Sequence, residues 1–168
     1  MADRIQSFEE FWPYYLSEHR SPASRRLHFV GTSGWVASVL GSLAINPLGM
    51  GAAMAAFAAI AKHGVEKGEG EGPRLKHVAA MLGISTLASP VLFPAGVVFA
   101  YGCAWIGHFG IENNRPATFK YPLWSLRGDF RMLGHMLRGQ LWNGDPLEEL
   151  GLEDPTVERD VPVSTVYA

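Results

Sequence analysis

The sequence predicts an all-α protein: a small integral membrane helical bundle of two helical hairpins, with amphipathic helices at its N-terminal and C-terminal ends. Three observations predict it. Residues 27–61 and again residues 78–111 contain no Asp, Glu, Lys or Arg, and apolar stretches well past ~18 residues mark transmembrane helices. Each run is broken once by a turn signal, Asn46-Pro47 in the first and Pro90 to Pro94 in the second, so each reads as helix, tight turn, helix. Charge is confined to the N-terminal segment, the 62–77 linker and the C-terminal third. Two hairpins put all of that charge on one side, as the cytoplasmic preference of Lys and Arg favours. The arms are short for the ~20 residues of a full span, so each run can also be read as one span plus a re-entrant piece. A soluble, Ala-rich helical bundle is the remaining alternative.

Length and composition set the frame. The 168 residues make one domain, with residues 1–142 the membrane-embedded unit and 143–168 an acidic, proline-containing tail that packs loosely or stays disordered. The net charge of −2 argues neither for nor against nucleic acid, and no nucleic-acid partner is expected. The sequence sets no oligomeric state. A single cysteine, Cys103, excludes an intramolecular disulfide framework and a cysteine zinc cluster. Residues 1–26 are polar and charged, so no secretory signal is expected.

In chain order, Ser7-Phe-Glu-Glu10 is a capping box that opens a helix. Phe8, Phe11, Trp12, Tyr15, Leu16 and His19 follow on one face, with Pro13 either kinking that helix or starting it. Trp12, Tyr14 and Tyr15 read as core or interface anchors. Ser21-Pro22 breaks the chain before Arg25, Arg26 and His28 lead into the first apolar run. The Ala- and Gly-rich stretch 50–61 suits close helix packing in lipid. Gly64, Gly68, Gly70 and Gly72 alternate with charges as a flexible linker. Residues 129–142 read as an amphipathic helix with Phe130, Leu133, Leu137 and Leu141 on its apolar face and Arg131, His135, Arg138 and Trp142 on another. Such a basic helix beside membrane spans can lie in the interface plane.

The histidines carry the chemical signal. His108 and Glu112 are four residues apart, so on a helix they leave the same face and can close on one cation. Pro116 then ends that helix. His28 opens the first apolar run and His108 nearly closes the second, so both end on one side of the membrane however often each run crosses. His19 is close by in sequence, and under the hairpin reading His63 and His77 join that side too. Imidazole with carboxylate and no thiolate suits iron, zinc or manganese. The alternative is that histidines favour membrane interfaces, where an apolar body meets a polar tip. His135 lies on the polar stripe and is expected to be solvated. Glu112 could simply pair with Arg115 or Arg127, although a carboxylate at a helix C-terminus opposes the macrodipole and a cation beside it would offset that. Asp129 suits the first turn of the last helix. No Walker loop, G-x-G-x-x-G or G-x-S-x-G motif occurs.

Two stretches resemble one family: Tyr15-x3-His19-x8-His28 followed by Gly31, and Trp105-Ile-Gly-His108-x3-Glu112-x3-Pro116-Ala117. They are similar to the membrane-bound iron(II) dioxygenases that α-oxidise 2-hydroxy fatty acids, a family first recognised in fungal phytosphingosine breakdown. The resemblance covers about residues 8–136, and Asn114-Arg-Pro-Ala-Thr-Phe119, Pro122-Leu-Trp-Ser125 and Asp129 look like its bacterial branch. It implies an all-helical integral membrane protein with iron(II), molecular oxygen and a 2-hydroxy acyl substrate shortened by one carbon. By the same resemblance His19, His28 and His108 are metal ligands and Glu112 a ligand or outer partner. Glu112 and Tyr15 of the first motif are the catalytic candidates. His63 and His77 are possible further ligands, and Arg25, Arg26 or Arg115 could hold the substrate carboxylate. Glu18, Ser24 and Asn113 depart from residues common in the family (Tyr, Asn and Lys) and bear on substrate choice. The site is expected at the membrane surface, facing the cytoplasm. The competing readings are a non-enzymatic membrane scaffold with incidental histidines and another metal-dependent lipid enzyme, a hydrolase or isomerase.

Overall fold

The computed structural model describes residues 4–156; the rest of the acidic tail lies outside them. Among the described residues the chain is all-helical. Helix α1 (Phe8–Ser17) starts on the capping box: Ser7 Oγ accepts the Glu10 N–H at 3.2 Å, and the Glu10 carboxylate reaches back to the Gln6 N–H at 3.3 Å. Pro13 sits inside this helix and neither begins nor ends it.

Helices α2 (Pro22–Ile45) and α3 (Pro47–Glu66) are separated by Asn46, whose side-chain oxygen caps α3 on Gly49 N–H, and each opens with proline in its first turn. Helix α4 (Leu75–Ala88) and helix α5 (Leu92–Trp105) flank the second turn, and α5 continues into a π-helical segment, Ile106–Glu112. The helices are not the four even, short arms the sequence led us to expect. Helix α2 has 24 residues and α3 has 20, because both continue beyond the uncharged run into Arg25 and Arg26 at one end and into Lys62 and Glu66 at the other. Helix α4 has only 14 residues. Three helices, Pro22–Ile45, Pro47–Glu66 and Leu92–Glu112, are long and apolar enough to cross a membrane. At ~1.5 Å per residue, α4 falls well short of a ~30 Å hydrocarbon core.

Within the bundle α2 packs most extensively on α5, and α3 on α4. Gly31 makes the first contact possible, since a Cβ there would lie 2.9 Å from Cys103 Cβ and 3.1 Å from the Ala100 carbonyl. Val39, Met50, Ala53 and Phe93 form the interior of the bundle, while Leu40, Ile45, Leu48, Leu87, Val91 and Val98 face outward and exposed. An outward apolar surface on long uncharged helices is what a bilayer solvates.

A second, aromatic core forms at the charged end. It joins Phe8, Phe11, Trp12, Tyr15 and Leu16 of α1 to Trp124, Met132 and Met136 of α6 (Pro122–Leu137) and to Leu147 of α7 (Pro146–Leu150). Three sequence expectations are corrected here. Helix α6 starts at Pro122 rather than 129 and buries Trp124, Ser125, Gly128, Met132 and Met136, whereas Phe130 is 38% and Leu137 70% exposed. The cause is the aromatic α1, which takes the Trp124–Met136 stripe as its partner. His135 is half-buried rather than free in solvent: its ring stacks on Trp12, and its Nδ1 meets Gln140 Oε1 at 2.8 Å. Residues 143–156 do not pack loosely, because Leu147 is buried, Asp145 caps α7, and both Asp145 and Asp154 pair with Arg20.

The linker is likewise bonded in. Glu69 is fully buried, its carboxylate accepts the Trp124 N–H at 2.8 Å near the start of α6, and its carbonyl takes the Arg4 guanidinium. The N-terminal segment, the linker and α6 therefore meet at one end of the molecule, with the histidine-bearing loop between α1 and α2 beside them.

Candidate metal centre

His19 lies in the short connection between α1 and α2, His28 on the second turn of α2, and His108 in the π-helical segment. All three are buried, and one ligand nitrogen from each lies within 4.8 Å of the others. Local chemistry explains their convergence. Wider π-turns occur mostly at functional sites, and here the turn is tied by the Asn114 N–H to the His108 carbonyl at 3.0 Å, with Asn113 in the left-handed region at φ 54°. Gly107 brings that turn against α2, where a Cβ would sit 2.9 Å from Ser24 Oγ.

Hydrogen-bond partners settle which nitrogens are free. His19 Nδ1 lies 2.6 Å from the Tyr15 carbonyl, His28 Nδ1 2.8 Å from Asp129 Oδ1, and His108 Nδ1 2.7 Å from Asn114 Oδ1. The Asn114 amide is oriented by its other arm, which donates to the Glu18 carbonyl at 2.8 Å. Each of the three partners is an oxygen acceptor, so each Nδ1 carries the proton. All three Nε2 atoms are then bare lone pairs. Those of His19 and His28 nonetheless lie 3.2 Å apart, in a buried place where no described residue donates to them.

Three unprotonated nitrogens facing one another could hold a cation between them, and an imidazole donor set with its opposite ring nitrogens fixed on oxygen is how proteins hold zinc or iron. Burial, and then the neighbouring imidazoles of His28 and His108, hold His19 well below its ordinary pKa, so its ring stays neutral. Burial first, and then the Asp129 charge, push the Tyr15 phenol well up, so it remains an O–H donor to Asp129 Oδ1 at 2.6 Å.

The remaining predicted site residues fall as follows. Tyr15 is buried, lies over the His19 ring with centroids 4.2 Å apart, and touches both the His19 and the His28 arms of the cluster. Glu112 stands apart from the three-histidine group: its Oε1 accepts the Ser21 N–H at 2.8 Å at the start of α2. His63 and His77 pair with each other, Nδ1 to Nε2 at 3.0 Å, and are not part of the three-histidine group. Arg25, expected to meet a substrate carboxylate, is corrected. It is fully buried, and its five N–H groups point at the carbonyls of His19, Arg20, Leu141, Asn143 and Gly144. Arg26 is exposed and bonds Trp142 and Asn143; Arg115 is exposed, directly before Pro116. Asn114 and Asp129 are residues to which sequence reasoning gave no part in the site; Asp129, read as a first-turn acid, lies in the middle of α6. Asp129 is 101 positions from the histidine it orients, so no local pattern joins them.

A cavity runs from this centre into the bundle. His28, His108 and Asp129 line its polar end, and Phe57, Met81, Phe93, Val97, Ala100 and Leu126 are among its apolar walls. A family model described as 2-hydroxy-palmitic acid dioxygenase Mpo1-like matches residues 5–141. The chain belongs to the Mpo1-like family. The match to the Mpo1-like model takes in all three histidines, Asn114 and Asp129. No curated protein and no solved structure was found that matches the chain.

Proposed function

We propose that the chain is an iron(II)-dependent dioxygenase that shortens 2-hydroxy fatty acids by one carbon at the membrane surface. The observation that carries this reading is the cavity itself, lined mostly by apolar side chains and including His28 and His108 of the three-histidine group. Family membership supports the substrate class.

His19, His28 and His108 would hold the metal, each through Nε2. Bound there, iron(II) would supply the means to bring molecular oxygen and the acid together for cleavage of the C1–C2 bond. The chain's own residues do the rest. Asp129 and Asn114 fix the planes of His28 and His108 by holding their Nδ1 protons. The Tyr15 carbonyl does the same for His19. The cavity walls take the alkyl chain and exclude water from the polar end. Arg115, exposed and next to Pro116 of the cavity wall, is the cation for the substrate carboxylate. Glu112 acts as a positioning residue, fastening the π-helical segment to the start of α2. The long apolar helices keep the site where its substrate partitions, and the concentration of Lys and Arg at this end directs it to the cytoplasm.

The test is metal content and oxygen uptake on detergent-purified protein loaded anaerobically with iron(II). About one iron per chain, and oxygen consumed as a 2-hydroxy fatty acid yields the acid one carbon shorter, are expected. His108→Ala should lose both. Full metal content in that variant, or no oxygen uptake by the loaded wild type, would overturn the reading.

A further inference from the structure

The polar end of the cavity contains one carboxylate, and only one of its two oxygens has a partner among the described residues. Asp129 Oδ1 accepts from the Tyr15 phenol at 2.6 Å and from His28 Nδ1 at 2.8 Å. No described residue donates to Oδ2, and Asp129 lines the cavity beside His28 and His108. Its side chain is 26% exposed.

We propose that Asp129 Oδ2 accepts the 2-hydroxyl hydrogen of the bound acid, making Asp129 the residue that separates a 2-hydroxy acid from an unsubstituted one. This rests on the substrate class proposed above. Two donors on Oδ1 fix the plane of the carboxylate and so the direction of Oδ2, which needs no rearrangement to receive a hydroxyl. An ionised carboxylate can only accept. The other cavity hydroxyls, on Thr32, Tyr101 and Thr118, can turn to donate or accept, and so tolerate either ligand. An unsubstituted acid would cover Oδ2 while offering it no proton, and a polar atom left unpaired by the wrong ligand is the strongest source of discrimination available to a site.

Asp129→Asn isolates that atom. The donors from Tyr15 and His28 require an acceptor, so the amide oxygen takes the place of Oδ1 and the NH2 takes the place of Oδ2. The His28 contact is kept, and only the unpartnered atom changes, from acceptor to donor. Zinc, which such a site binds more tightly than iron(II), is used in excess for loading, so that a weakened variant is still filled and no turnover occurs. Calorimetry then compares a 2-hydroxy fatty acid with the unsubstituted acid of equal length. Wild type should prefer the hydroxy acid, and D129N should reduce that preference by roughly tenfold to a hundredfold, the range of a hydrogen bond to a charged group. An undiminished preference in zinc-loaded D129N would overturn the inference. A zinc-loaded wild type that preferred neither acid would overturn the substrate class on which it rests.

Discussion

His19 Nε2 and His28 Nε2 face each other at 3.2 Å with no proton between them, because each ring has already placed its proton on an oxygen behind it. In water such a pair would turn away or take up a proton. Here burial, the Tyr15 carbonyl and the Asp129 carboxylate hold both rings in place, and His108 closes the third side.

Asn114 is expected to act on the metal through His108. Asn114→Ala removes the acceptor for His108 Nδ1 at 2.7 Å and should weaken metal affinity by roughly tenfold to a hundredfold, the usual effect of losing such an outer partner. Asn114→Asp restores an acceptor and should recover most of the loss. Competition with a calibrated chelator measures both.

Glu112→Ala should keep about one metal per chain while lowering stability. Its carboxylate accepts the Ser21 N–H in the manner of a helix cap, and losing a cap costs about 0.5–2 kcal/mol. A variant that folds with the stability of wild type but binds no metal would assign Glu112 to the coordination sphere instead. Metal analysis beside chemical unfolding in detergent separates the two outcomes.

Arg25→Ala should be among the most damaging single changes outside the metal ligands. Five buried or half-buried carbonyls lose their donor at once, and each unsatisfied buried group costs about 1–3 kcal/mol. A loss of at least ~3 kcal/mol is expected, with greater protease sensitivity at 141–144. Arg25→Lys should recover little, since an ammonium cannot serve five acceptors arranged for a planar fork.

Glu69 gives a pH dependence whose sign can be worked out. Burial raises its pKa above the ordinary 4.5, outweighing the N–H donors of Trp124, Arg74 and Leu123. Between 4.5 and the raised value the folded chain holds this proton more firmly than the unfolded one. The stability from this group is therefore full below about pH 4.5 and falls as pH rises through the folded pKa. Glu69→Gln should remove that slope, and unfolding of both proteins across pH 4–7 checks it.

Much of the fold could be read because hydrophobic runs and prolines act locally. The helices on either side of Asn46-Pro47 follow from charge-free sequence and a turn signal, and His28 and His108 from their places at the ends of those runs, with His19 close by in sequence. What could not be read depends on partners far along the chain. The face of α6 was misassigned because Phe130, Leu133 and Leu137 are as apolar as Met132 and Met136, and only the presence of α1 decides which stripe is covered. The 62–77 segment looks like a linker by composition, yet Glu69 is buried against Trp124. The π-helical turn that aims His108 has no signature in its residues. Arg25, read as a free cation, is surrounded by carbonyls whose positions no spacing rule encodes.

Three of those five carbonyls belong to residues 141–144, more than a hundred positions after the arginine they surround. A ribosome makes Arg25 and the membrane helices long before it makes their partners. The growing polypeptide must therefore carry a guanidinium lacking three of its five acceptors, and an unaimed His28, until its last third emerges. On the proposed function, a metal ion arriving before then would meet a His28 that Asp129 does not yet hold, so loading would follow synthesis.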